Sequence, residues 1–133
     1  MIIDDFKRVN DTYGHATEDV YLIEFSKRFS SIDFGCETIR MRIAGDEIGL
    51  YMHGMDDVSD SFATRFWDEI ERVLTSEPIF SEADPLAVAC SAGLAVYNRD
   101  TTNVYELKEL ADRAMYQAKC SGKHACRMFE SAV

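Results

Sequence analysis

Asp46 and Glu47 are the residues best suited to chemistry in this chain. They stand side by side in Arg42-Ile43-Ala44-Gly45-Asp46-Glu47-Ile48. Adjacent carboxylates repel, and a cation or a proton beside them relieves that repulsion. Mg2+ is one such cation. It takes hard oxygen ligands, usually one or two carboxylates, while substrate phosphates complete its shell. A solvated turn is the plainer alternative, since turns favour Asp anyway. Asp4 and Asp5 form a second acidic pair. They could share the same ion, or simply mark a strand's exit to the surface. Lys119 and Lys123 lie four apart across a helix end. They could converge on a triphosphate, or only offset the helix dipole. Asn10 and Asp19 suit guanine, whose ring N–H and exocyclic amine want a carboxylate acceptor with an amide nearby. Turn chemistry and helix-start charge would place the same two residues there.

Other candidates carry less. His15, His53 and His124 lack metal-ligand spacing and suit surface or turn positions. No Gly-rich phosphate loop is present. Ser91 sits in an apolar run, which argues against a nucleophile.

The elements that must position these groups follow from periodicity. Ile39, Met41 and Ile43 alternate with Arg40 and Arg42, and Ile48 to Met52 reads as a second strand. Together they predict a tight hairpin from about Thr38 to His53 with the acids at its tip. Gly45 is expected to supply the turn's backbone freedom. Residues 1–4 predict a short strand ending at Asp4-Asp5. Met1-Ile2-Ile3 resembles the second half of a buried strand, which suggests a piece of something longer. Phe6 to His15 reads as a polar connection, with turn signals at Asn-Asp and Tyr-Gly. Thr17 is the expected N-cap of a helix whose apolar face is Leu22, Phe25, Phe29 and Ile32.

Beyond the hairpin, Met55-Asp56-Asp57 leads to a second helix. Its inward stripe is Val58, Phe62, Phe66, Ile70 and Val73, and it stops before Pro78. Pro85 opens a strand from Leu86 to Tyr97 that is apolar or small on both faces, hence central. Thr101-Thr102-Asn103 caps a third helix, with Leu107, Leu110, Ala111, Ala114 and Ala118 inward and Gly122 as its stop. Cys126 to Phe129 is a candidate closing edge strand. The order β-α-β-β-α-β-α-β predicts an α+β fold with a central mixed, mainly antiparallel sheet flanked by helices.

At 133 residues, with 47% hydrophobic content, the chain is one domain with a real core. A net charge of −10 argues against nucleic-acid or anionic-membrane surfaces, though not against a small phosphorylated ligand held by local cations. Cys36, Cys90, Cys120 and Cys126 form no CxxC pair and suit reduced thiols in a cytoplasmic protein, with Cys90 in the core. No stretch is long or apolar enough to span a membrane, and no secretory signal is present.

Four segments in order resemble the GGDEF domain family, the diguanylate cyclases, across essentially the whole chain. Asp4 to His15 resembles the family's first-strand exit and nucleotide loop. Ala44-Gly45-Asp46-Glu47-Ile48 stands where the signature hairpin belongs. Cys90 to Ala95 resembles the following central strand, and Ala111 to Lys119 with Gly122-Lys123 resembles the last helix. The resemblance implies a ferredoxin-like, nucleotide-cyclase-like palm. It also implies a chemistry in which two GTP molecules on two facing domains become cyclic di-GMP and pyrophosphate. Each ribose 3′-hydroxyl would attack the other nucleotide's α-phosphorus.

By position, Asn10 and Asp19 would bind guanine, and Lys119 and Lys123 the phosphates. Asp46 and the Ile3 backbone carbonyl would hold Mg2+ or Mn2+, with Asp4 as a further candidate ligand, and Glu47 would aid the hydroxyl. A homodimer and an upstream sensory domain are implied as well.

The departures carry equal weight. Ile2 stands where the family has a metal-binding Asp, and isoleucine offers no side-chain oxygen. Ala44 and Ile48 replace the signature's first glycine and its phenylalanine. Glu18 replaces a glycine, and Lys123 replaces an arginine, losing the bidentate fork. Gly35 and Thr38 occupy the places of the Arg and Asp of the product-inhibition motif, and the family's N-terminal helix is missing. Two outcomes follow: a diguanylate cyclase with weak or lost catalysis, or a degenerate GTP-binding or dimerising module.

Overall fold

The protein is described from a computed structural model, which covers residues 1–55, 58–81 and 84–130. The hairpin forms where the alternation places it. Strand β2 (Glu37–Arg42) pairs antiparallel with β3 (Ile48–His53), with Arg42 opposite Ile48 and Glu37 opposite His53. Strand β1 (Ile2–Ile3) pairs antiparallel with β6 (Cys90–Leu94), setting Ile2 opposite Ser91 and Ile3 opposite Cys90. β6 pairs in parallel with β7 (Cys126–Met128). An antiparallel bridge between Ile2 and Glu47 joins the hairpin to β1. The Ile3 N–H donates to the Asp46 carbonyl at 2.8 Å, and the Ile48 N–H to the Met1 carbonyl at 2.8 Å. The backbone therefore runs β2-β3-β1-β6-β7 across the molecule.

Register sorts the side chains between two faces, because residues directly opposite in an antiparallel pair share a face. Ile3 and Cys90 join the main core with Tyr21, Phe25, Phe29, Phe62, Phe66 and Ile70. The core's helices are α2 (His15–Ser31) and α3 (Asp60–Glu69), the latter continuing as a π-helical turn over Ile70–Thr75. Of the expected α2 stripe, Phe25, Phe29 and Ile32 are buried and Leu22 is half-buried. Tyr21, absent from that stripe, is also buried, and its hydroxyl donates to the Ala87 carbonyl at 3.4 Å.

Ile2, Ser91 and Gly93 point to the opposite face, where α4 (Leu107–Cys120) lies. An added Cβ at Gly93 would come 2.1 Å from the Ala111 carbonyl oxygen and 2.3 Å from the Met115 nitrogen. Only a residue without a side chain permits that approach. β6, covered on both faces, is central as its composition predicts, and β7 closes the edge.

Several local expectations change. Phe6 to His15 is not an open connection: Phe6–Tyr13 forms helix α1. Phe6 and Val9, three apart, pack against the core, and that contact outweighs the polar residues between them. Only Gly14 of the turn signals acts as a break, at φ 90°. It also occupies the N-cap position of α2, so Thr17 lies inside the helix and is not its cap. Gly45 is outside the left-handed region, so the hairpin does not depend on it for backbone freedom.

The long strand expected from Leu86 to Tyr97 is broken. Asp84–Leu86 forms β5, which pairs with a short β4 (Ile79–Ser81), and Pro85 sits opposite Phe80. Proline cannot donate to a central ladder, so this piece makes a separate small hairpin. Asp56 and Asp57, expected before the second helix, lie outside the described residues. Asn103, as expected, caps the turn leading into α4: its Oδ1 accepts from the Tyr105 N–H at 3.0 Å. All four cysteines are free. Burial pushes the Cys90 thiol up to about 12, as suits a core position.

Arg28 holds the helical layer to the β4–β5 hairpin. Its guanidinium donates to the Leu74, Glu77 and Pro78 carbonyls at 3.2, 2.6 and 3.0 Å. The first closes an orphan carbonyl at the end of the π-helical turn, and the other two fix the segment that leads into β4. Arg28→Ala should therefore cost about 2–3 kcal/mol of unfolding free energy in urea titration. A change under about 0.5 kcal/mol, the range of an ordinary surface substitution, would contradict this role.

Candidate functional site

The acidic tip, the start of the chain and the last helix meet around the exit of β1. Asp46 is tied there by its carbonyl, which accepts from Ile3. Gly45 faces Phe6 at the head of α1, where an added Cβ would lie 3.9 Å from the ring. The Ile43 and Ala44 N–H groups both donate to the Glu47 carbonyl, and Arg42 donates to the Ala44 and Gly45 carbonyls. Glu47 is half-buried and lies 3.7 Å from the Lys108 ammonium, which also pairs with Asp112 at 2.8 Å.

Asp4 and Asp5 diverge. Asp4 is 8% exposed and shares the α4 face with Ser91. The Ser91 hydroxyl lies 2.9 and 3.1 Å from its two carboxylate oxygens, and the His124 backbone N–H donates at 2.8 Å. This carboxylate therefore clasps the loop after α4. Asp5 instead pairs with Lys123 at 2.8 Å. That hydrogen bond holds the Asp5 carboxyl below the usual carboxylate range, with Arg8 and Lys119 adding to it. Both late lysines thus lie near the exit of β1.

Asn10 and Asp19 stand on the two helices joined at Gly14. The Asn10 amide contacts His15 Nδ1 at 3.1 Å, and Asp19 is exposed. Leu22 and Ser26, three and seven residues on, continue the same face of α2. With Arg42, Gly45 and Ile48 they line a cavity of about 150 Å³ between α2 and the hairpin. A larger groove of about 410 Å³ lies between α2 and β4, lined by Val20, Ile23, Glu24, Lys27, Glu77 and Phe80, with none of the acidic hairpin residues in its wall.

Among the described residues, no group of three or more His, Cys, Asp or Glu could hold a metal ion. Ile2 faces the Glu47 side of this site without an oxygen, and Asp4 is engaged elsewhere. The residues present do not fit a two-carboxylate Mg2+ site. Sequence reasoning missed Ser91 and His124 as partners of Asp4, Asp5 as partner of Lys123, and Lys108 as partner of Glu47. A lone serine in an otherwise apolar strand was the one local signal.

Comparison with known proteins places the family and the fold. The family model described as "Diguanylate cyclase, GGDEF domain" matches residues 1–125. The bifunctional diguanylate cyclase/cyclic di-GMP phosphodiesterase MucR of Pseudomonas aeruginosa is 34% identical over 133 residues, which are 100% of this chain and 19% of MucR. Diguanylate cyclase A of Treponema denticola is 31% identical over 92% of this chain and 32% of its own length. The chain thus spans about a third or less of these relatives. Among solved structures, the GGDEF domain of PA1120 (YfiN or TpbB) from Pseudomonas aeruginosa has a TM-score of 0.84 at 26% identity, covering 98% of this chain and 80% of that one. The GGDEF domain of DgcB from Caulobacter crescentus, solved with c-di-GMP, shares the fold at TM-score 0.78 and 24% identity, over 98% and 75%. With residues 1–125 matched by the family model, the chain belongs to the GGDEF domain family of diguanylate cyclases.

Proposed function

We propose that the chain is a single cytoplasmic GGDEF domain of cyclic di-GMP signalling that binds GTP and has weak or lost cyclase activity. Asn10 and Asp19 read guanine. Lys119 and Lys123 hold the phosphates. Asp46, with the Ile3 carbonyl, is what remains of the Mg2+ or Mn2+ site, and Glu47 stands beside the attacking hydroxyl. A second GGDEF domain, bound as a homodimer, presents the other GTP, and an upstream sensory domain controls the pair. No membrane or nucleic acid takes part.

The observation that carries the loss of activity is Ile2. It bridges to Glu47 at the place where a second carboxylate would stand, and Asp4 is clasped to Ser91 and His124 and does not replace it. Phosphoryl transfer needs its developing charge neutralised, and removing one metal carboxylate costs several kcal/mol of that stabilisation. A GTP-binding or dimerising module without catalysis is the second reading, favoured by the same residue.

The test is calorimetric titration with GTP and with ATP. GTP should bind at least about tenfold more tightly, because Asp19 and Asn10 offer polar partners that adenine leaves unpaired. Asp19→Ala should remove most of that preference. Equal affinity for the two nucleotides would overturn the guanine assignment.

A further inference from the structure

The Asp5–Lys123 contact joins two residues 118 positions apart, and three strained backbones meet there. Asp5 has φ 57°, Lys123 φ 62° and His124 φ 43°, three of the four left-handed non-glycine residues among those described. The left-handed region is uncommon for side-chain-bearing residues, and such conformations concentrate at binding and switch sites. An exposed ion pair is too weak to account for three of them. The Asp4 carboxylate, held by Ser91, fixes the His124 N–H and so sets the loop that carries Lys123. The Lys123 ammonium is thereby aimed at the Asp5 carboxylate, with Lys119 and Arg8 near enough to add to its field. In a chain of net charge −10, such a cluster of cations is scarce, and the Asp5 carboxylate already occupies one of them, Lys123.

We propose that Asp5 is a built-in counter-anion at the phosphate subsite: an incoming polyphosphate must displace its carboxylate from Lys123, and this exchange sets the affinity of the site. The proposal rests on the phosphate role of Lys123 given above and adds a specificity-determining residue to it. A dianionic or more highly charged phosphate chain displaces one carboxylate readily, whereas a single carboxylate ligand does not. The site therefore discriminates by charge as well as by shape.

Asp5→Asn isolates the charge, because Asn tolerates the left-handed backbone as Asp does. The experiment is calorimetric titration of inorganic tripolyphosphate at low salt into the wild-type chain, Asp5→Asn, Lys123→Met and the double variant. Asp5→Asn should bind on the order of fivefold more tightly than wild type. Lys123→Met should bind more weakly, and in its background Asp5→Asn should give no gain. Equal or weaker binding by Asp5→Asn, with wild type binding normally, would overturn the counter-anion while leaving the phosphate role of Lys123 intact. A gain that persists without Lys123 would also overturn it, since the effect would then be a general field. Absence of binding in both wild type and Asp5→Asn would overturn the phosphate assignment and this proposal together.

Discussion

Gly93→Ala is expected to lose about 3 kcal/mol or more of folding stability, a large share of what a domain this size has. The added methyl has nowhere to go. It would sit 2.1 Å from the Ala111 carbonyl oxygen, 2.3 Å from the Met115 nitrogen and 2.9 Å from the Met115 Cα, all backbone atoms. A flexible side chain could turn aside, but α4 can only move as a body. Moving it would also open the packing of Ala114 and Ala118, which are 1% and 0% exposed. It would carry Lys119 away from the exit of β1. The melting temperature should therefore fall by roughly 10 °C or more. Tripolyphosphate binding should weaken even at temperatures where the variant is still folded. A melting temperature within about 2 °C of wild type would contradict the close approach of α4 to β6.

Ile2→Asp should have the opposite character: a loss without metal and a gain with it. Ile2 is half-buried on the face it shares with Ser91 and Glu47. A carboxylate there stands beside Glu47, one strand repeat from Asp4 and near Asp46. Like charges so placed disfavour one another's ionised forms, and apolar burial is lost as well. In chelator the variant should be about 1–3 kcal/mol less stable than wild type. With Mn2+ the added oxygen becomes a ligand, and the variant should bind the ion at least about tenfold more tightly than wild type. At a hundredfold excess over the dissociation constant, binding returns about 2.7 kcal/mol of stability. The variant's melting temperature should thus climb with Mn2+ more steeply than that of wild type. Parallel responses of the two proteins would show that Ile2 is not the missing ligand position.

What was legible in the sequence depended on whether the signal was local. β6 announced itself because Cys90, Ala92 and Leu94 on one face, and Gly93 on the other, are all apolar or small. The hairpin followed from strict alternation and a short acidic tip, and the α2 stripe from Phe25, Phe29 and Ile32 at helical spacing. Helix α1 did not show, because Phe6 and Val9 are its only core contacts among polar neighbours and two turn-like dipeptides. The break after Leu86 turned on Pro85, which was legible as an opening residue but not as part of a three-residue hairpin with Phe80. The roles of Asp4 and Asp5 were out of reach. Two adjacent acids look alike in sequence, and they separate only because Ser91, Lys123 and His124 arrive from 87 to 120 residues away. For Lys119 and Lys123 the spacing left a phosphate role and a helix-dipole role both open, and the resemblance to the GGDEF family is what favours the proposed phosphate role.

The most direct measurement is cyclic di-GMP formed from GTP and Mn2+ by the wild-type chain and by Ile2→Asp, side by side, each fused to the same dimerising coiled coil. The expected result is little or no product from wild type and a clear gain from the variant. Robust turnover by wild type, undiminished relative to Ile2→Asp, would contradict the proposal that one isoleucine disables this site.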